Sequence, residues 1–226
     1  MGTIIALGGG ELRYLETFEI DQQIVKLTGV DHPKALFIPT ASHESERYIQ
    51  CFEIIYGEKL GCEVETLYLL STRLDQQQIR HQILSADLIY VGGGDTEFMM
   101  QTWAAYGVDN YLKEAYEQGI VLAGLSAGAI CWAESGYSDS DSFKTEEEWE
   151  YKFVKGLGLI KASICPHYDE KGRERFDKAI SNQQGIGIAL ENNVAYVIQD
   201  QKVSIIKSNS NKKAYQLMGN TKIELT

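Results

Sequence analysis

The chain has 226 residues, 44% of them apolar and 23% charged, which is the composition of an ordinary soluble globular protein and suits one α/β domain with a full core over residues 1–226. Only three prolines are present, against a linker-rich or disordered chain, and the net charge of −11 argues against nucleic acid or an anionic membrane as partner, since both need a positive footprint. A small acidic substrate held by a local arginine stays compatible with that charge.

The N-terminus, Met1-Gly2-Thr3-Ile4-Ile5-Ala6-Leu7, enters an apolar strand without a basic segment and cleavage site, and no apolar stretch reaches the roughly 18–20 residues that cross a bilayer. Cys51, Cys62, Cys131 and Cys165 show no C-x-x-C spacing, as expected of reduced thiols in a cytoplasmic protein.

In chain order, short apolar runs at residues 3–7, 35–38, 63–69, 88–91 and 120–123 alternate with amphipathic stretches at 48–58 (Ile49, Phe52, Ile55 and Tyr56 on one side) and 74–84 (Ile79, Ile83, Leu84). The alternation predicts βαβ units around a mostly parallel sheet. Residues 137–150 form an acidic excursion that is a solvated loop or a lid anchored by Phe143 and Trp149. From Val194 onward, strands at 194–198, 202–206, 214–218 and 222–225, separated by turns, predict a β-meander capping one sheet edge.

Gly124-Leu125-Ser126-Ala127-Gly128 is a G-x-S-x-G nucleophile elbow between an apolar strand and a small-residue helix. Side chains at the flanking glycines would collide in so sharp a turn, and the serine is held in a strained conformation. The Ala127 amide then opens a helix N-terminus, where developing negative charge is favoured.

Ligands of parallel α/β sheets meet the loops at the carboxyl ends of strands. Gly8-Gly9-Gly10, Pro39-Thr40-Ala41-Ser42 and Gly92-Gly93-Gly94-Asp95 are such loops, and the glycine-rich ones carry neither the Walker lysine nor a full G-x-G-x-x-G for a nucleotide. Beside a nucleophilic serine, bare backbone at Gly93, with Gly92 and Gly94 as competitors, supplies a second oxyanion donor.

A serine nucleophile needs a base. Among four histidines, His32 and His81 read as surface residues, His43 follows a strand on the productive side, and His167, placed by Pro166, is the preferred base. The orienting carboxylate is Glu191, at the end of the strand at 186–190, or Asp141, in the acidic excursion. Strand ends hold groups more rigidly than loops, which favours Glu191.

Gly92-Gly93-Gly94-Asp95-Thr96, Gly124-Leu125-Ser126-Ala127-Gly128-Ala129 and Pro166-His167-Tyr168 resemble, in order and spacing, the peptidase S51 family, which contains aspartyl dipeptidases of the peptidase E type and cyanophycinase. The resemblance spans most of the chain and implies a fold similar to class I glutamine amidotransferases (flavodoxin-like), with Ser126 as nucleophile, His167 as base, and Glu191 or Asp141 as third member. Asp95 departs from the asparagine usual at that place, and a carboxylate there would oppose an oxyanion. Cleavage beside aspartate implies a cation for the substrate carboxylate, with Arg173 and Arg175 as candidates. The expected protein is a serine exopeptidase acting on small peptides with N-terminal or β-linked aspartate. No cofactor or metal is required, and the chain is expected to be a monomer or homodimer. An esterase or amidase on the same elbow, and an impaired ligand-binding homologue marked by Asp95, are the alternatives.

Overall fold

The computed structural model describes residues 2–145 and 147–226; Glu146, within the acidic excursion, and Met1 lie outside the described residues. The first half builds β1 (Ile4–Leu7), α1 (Phe18–Leu27), β2 (Lys34–Ile38), α2 (Glu46–Phe52), β3 (Glu63–Thr66), α3 (Gln76–Leu84), β4 (Leu88–Val91), α4 (Thr96–Tyr106), α5 (Val108–Gln118) and β5 (Val121–Leu125). After it come α6 (Ala127–Ile130), β6 (Ala133–Ser138), β7 (Lys152–Lys155), β8 (Ile160–Cys165), α7 (Arg175–Gln183), β9 (Ile186–Leu190), β10 (Val194–Gln199), β11 (Lys202–Lys207), β12 (Ala214–Met218) and β13 (Thr221–Leu225).

The protein is α/β, as its sequence predicts. A seven-stranded sheet runs β11-β10-β1-β5-β4-β2-β3, with β1 to β5 mutually parallel and β10 and β11 added antiparallel at one edge. Alternation along β1 shows why its strands read as unbroken apolar runs: Ile4 and Ala6 face a layer containing Ile79 and Ile83 of α3, Trp103 of α4 and Leu112 of α5. Ile5 and Leu7 face Ile20 and Ile24 of α1 and Ile49 and Phe52 of α2. With both faces covered, no position on the strand needs to be polar. Local signals set the helix ends. Asp75 and Gln78 form a reciprocal capping box that starts α3, and Gly107 at φ +72° ends α4 in the left-handed conformation that glycine adopts without strain. The helix predicted over 48–58 is α2 continued by a π-helical stretch, Glu53–Lys59, and it buries Ile49, Phe52, Ile55 and Tyr56 as expected.

The single expected sheet is corrected to two. β6, β8 and β9 run parallel in a second sheet of order β13-β12-β9-β8-β6-β7, and the predicted C-terminal meander is divided between the sheets, β10 and β11 capping the first and β12 and β13 extending the second. A meander has no sequence mark for which edge its hairpins join; here β12 pairs with β9, whose neighbour β8 carries the chain back toward the elbow. Within the acidic excursion, Trp149 packs edge-on against Tyr151 while Phe143 is exposed. Among the described residues no helix is long and apolar enough to cross a membrane.

Candidate active site

The site lies where the carboxyl ends of strands from both sheets meet. At the end of β5, Ser126 has φ +57° and ψ −108°, a combination rare for a residue with a Cβ. The flanking glycines are required by contact: a Cβ on Gly124 would stand 2.3 Å from the Gly128 carbonyl oxygen, and one on Gly128 2.1 Å from that of Val91. The helix that follows is one turn, so the expected macrodipole is small, and what remains is the N–H of Ala127 at its start.

His167 comes from the loop after β8. Its own φ is +53°, and its N–H donates to the Gly8 carbonyl at 2.8 Å, while Tyr168 N–H donates to Leu190 O at 2.9 Å and Asn193 N–H to Gly9 O at 2.9 Å. Three strand ends are thereby tied into one ridge. Gly9 is needed for this: a Cβ there would fall 2.4 Å from His167 Nδ1 and 2.0 Å from Asn192 Oδ1. The Gly8-Gly9-Gly10 loop thus serves the approach of an imidazole. Nε2 of His167 lies 2.9 Å from Ser126 Oγ.

On the other side of the ring the structure departs from both expected carboxylates. Nδ1 is 2.8 Å from Asn192 Oδ1 and 3.2 Å from Glu170 Oε1, and Asn192 Nδ2 donates to that same Glu170 oxygen at 3.1 Å. Nδ1–H donating to this pair leaves Nε2 unprotonated to accept the serine hydroxyl hydrogen. The hydrogen bond from His167 is the main cause holding the Glu170 carboxyl down at about 2, so Glu170 is ionised at neutral pH.

Glu191, expected to orient His167, instead accepts from Lys213 N–H at 3.0 Å while its own N–H donates to Lys213 O at 3.1 Å. It continues the β9–β12 ladder, and the residue beside it, Asn192, takes the inward direction. Asp141 lies in an exposed cluster with Lys144, Lys152 and Glu97, its Oδ1 2.6 Å from Lys152 Nζ, and that hydrogen bond lowers its carboxyl below the usual range. It has no contact with the histidine.

Asp95 is buried and caps α4, accepting from the N–H groups of Glu97 at 3.0 Å and Phe98 at 3.2 Å. Its carboxylate thus has a structural role at the start of that helix. Arg173 is 2% exposed, donates to Tyr137 O at 2.7 Å and Asp139 Oδ2 at 2.9 Å, and stacks on Tyr151. It braces β6 and is no substrate clamp. Arg175 shares a surface cleft with Glu147, Trp149 and Glu150. His43, the alternative base, packs at a tilt against Phe98.

Gly93 N–H donates to Tyr48 Oη at 3.4 Å, the outer limit of a hydrogen bond, and a Cβ on Gly93 would lie 3.4 Å from Ser126 Cβ, so Gly93 stands next to the serine with its N–H directed at the tyrosine. The four thiols are unpaired, and burial pushes each upward, Cys62 to about 11. None is poised as a rival nucleophile. Among the described residues no group of three His, Cys, Asp or Glu side chains is placed to hold a metal ion.

Sequence reasoning missed Asn192 and Glu170. Glu170 carried one usable signal, its place three residues beyond His167 in the same tight loop.

An α/β fold with an elbow serine and an imidazole on its hydroxyl has the geometry that acyl transfer needs. Comparison with known proteins makes the class specific. A family model described as Peptidase family S51 matches residues 4–206, and the chain belongs to that family of peptidases. It is 37% identical over 223 residues, 96% of this chain and 93% of the relative, to a protein of Bacillus subtilis named "Uncharacterized peptidase YgaJ". A solved peptidase from an acI-B1 Actinobacterium has the same fold, with a TM-score of 0.77, 22% identity and coverage of 100% of this chain and 94% of that one. A putative peptidase E protein from Listeria monocytogenes EGD-e is similar too, with a TM-score of 0.70 and 21% identity over 92% of this chain and 98% of that one.

Proposed function

We propose that this peptidase is a serine-type exopeptidase of small peptides with a preference for aspartyl substrates, and that its machinery is Ser126, His167 and the Asn192–Glu170 pair. The observation that carries the reading is the 2.9 Å approach of His167 Nε2 to a hydroxyl on a strained elbow. Ser126 Oγ attacks the scissile carbonyl carbon as its proton passes to Nε2. The oxyanion is met by the N–H groups of Gly93 and Ala127, each worth roughly 3–4 kcal/mol in the transition state. The C–N bond breaks as His167 returns the proton to the leaving amine. Water, deprotonated by His167, then hydrolyses the acyl-serine ester, releasing the acid and restoring the hydroxyl. Asn192 Oδ1 fixes the ring orientation and tautomer, and the Glu170 carboxylate balances the imidazolium formed in each half-reaction. The aspartyl preference is supported by the family resemblance alone.

A fluorophosphonate probe tests the nucleophile. Stoichiometric labelling of the wild-type protein, absent in Ser126→Ala and strongly slowed in His167→Ala, is the expected result. Equal labelling of wild type and Ser126→Ala overturns the assignment. A panel of dipeptides with Asp, Glu, Asn or Ala first tests the acidic preference, and equal turnover of Asp and Ala substrates overturns it.

A further inference from the structure

β13 is the outer strand of the second sheet and pairs with β12 alone. The turn Gly219-Asn220, with Gly219 at φ +56°, fixes which of its backbone groups are free. In a two-residue hairpin the flanking pair, here Met218 and Thr221, exchanges both hydrogen bonds, and the pattern alternates from there. Thr221, Ile223 and Leu225 therefore direct N–H and C=O inward to β12, whereas those of Lys222 and Glu224 point away from the sheet. The side chains from Thr221 to Glu224 are exposed, so this edge is a template for a further strand.

Charge says which strand fits. Four edges bound the two sheets among the described residues, and three carry a single sign: Glu63 and Glu65 on β3, Lys152 and Lys155 on β7, Lys202 and Lys207 on β11. No self-pairing of those strands can set unlike charges across from one another. β13 has both signs, Lys222 and Glu224, placed on either side of Ile223. A two-fold antiparallel pair must set outward groups against outward groups, which centres it on Lys222, Ile223 or Glu224 if most of the strand is used. The first and last put like charges directly opposite, which destabilises a ladder; the middle one puts each Lys222 opposite a Glu224.

We propose that β13 is a dimer interface, at which a second copy of this chain pairs antiparallel about Ile223 and continues the second sheet across a two-fold axis. Lys222 exchanges N–H and C=O with the partner's Glu224, and Glu224 does so with the partner's Lys222. Their present ion pairs, Lys222 with Asp177 at 3.3 Å and Glu224 with Lys213 at 2.8 Å, are exposed and readily shared. On the opposite face the strand register carries an apolar surface out of the core, from buried Leu190 and Ala214 to exposed Ile186, Met218 and Ile223. Ile223 meets its own symmetry copy there, in a pair without hydrogen bonds, where side chains approach closely.

Sedimentation equilibrium of the full chain over a concentration series tests this. A reversible monomer–dimer equilibrium is expected, weak because a strand of five residues buries less than a standard interface. Glu224→Lys should raise the dimer dissociation constant by about 10-fold or more, since two attractive pairs become repulsive. Combining it with Lys222→Glu restores unlike pairs with the signs exchanged and should recover the dimer, which a merely damaged fold would not. Ile223→Cys should cross-link two chains on mild oxidation, because a Cα separation of about 4.5 Å in such a pair lies within disulfide range. Thr221→Cys, opposite the partner's Leu225, should not, and the wild-type chain controls for its own thiols. A chain monomeric at every concentration overturns the proposal, as does a dimer indifferent to the charge reversal or one that does not cross-link through position 223.

Discussion

Asn192 Oδ1 lies 2.8 Å from His167 Nδ1, in the position where an orienting carboxylate was expected, and the charge stands one step away on Glu170. The imidazole is thus fixed by a neutral amide and balanced by an exposed anion, two roles that a single buried carboxylate would otherwise combine.

If the amide fixes the ring, Asn192→Ala should lower kcat by about 10²-fold, below the loss of about 10⁴-fold that follows a wrong tautomer in a carboxylate triad, because Glu170 still reaches Nδ1. Asn192→Asp keeps an acceptor and should retain more activity than the alanine variant. Steady-state kinetics on both variants decide this, and an alanine variant as active as wild type removes Asn192 from the site.

Glu170→Gln keeps shape while removing charge. The imidazolium formed in each half-reaction then lacks its counter-charge, so kcat/KM should fall by about two- to fivefold, the scale of an exposed ion pair. The carboxyl sits at about 2, so no limb of the wild-type profile above pH 4 should follow Glu170 itself. A kcat/KM equal in the two proteins contradicts the role.

Asp95 caps α4, and Asp and Asn are nearly equal caps. Asp95→Asn should leave activity and stability within a few tenths of a kcal/mol of wild type, while Asp95→Ala costs about 1 kcal/mol in urea unfolding. A marked gain in kcat for the asparagine variant would instead favour a carboxylate opposing the oxyanion.

Gly128→Ala would place a Cβ 2.1 Å from the Val91 carbonyl oxygen, a backbone atom fixed in the central sheet. Overpacking without room to relax should cost about 3 kcal/mol or more, seen as a lowered urea midpoint together with loss of fluorophosphonate labelling. Gly29→Ala, with no atom near its Cβ but φ +70°, is the control and should cost far less while labelling normally.

Asp21 is fully buried, accepting from Tyr56 Oη and Thr17 Oγ1 at 2.8 Å each, and burial raises its carboxyl to about 7. A raised carboxyl binds its proton more tightly in the folded state. Its contribution is therefore complete below pH 4 and is lost as pH rises from about 4 through 7, by up to roughly 4 kcal/mol. Asp21→Asn should flatten the fall of thermal stability between pH 5 and 8, and an unchanged slope argues against the shift.

The parallel sheet, the elbow and His167 were legible in the sequence because each depends on neighbours in the chain: apolar runs buried on both faces, glycines two residues either side of Ser126, a proline before the histidine. The second sheet was not. β6 reads Ala-Glu-Ser-Gly-Tyr-Ser, without the branched residues that mark a strand, and Gly136 stands within it because a Cβ there would lie 2.4 Å from Ile130 Cγ1.

The same division runs through the site. Sequence by itself determined which serine and which histidine stand on strained turns, since such turns are written in local glycine and proline. Only the tertiary structure decided what faces Nδ1 and where the arginines point. Successive residues at a strand end aim to opposite sides, so whether Glu191 or Asn192 turns inward depends on the pairing of β9 with β12, and that pairing joins segments the sequence holds far apart. Arg173 and Arg47 are chemically identical in the sequence, and burial against Asp139 gives one a structural bond while the other stays exposed in the first turn of α2.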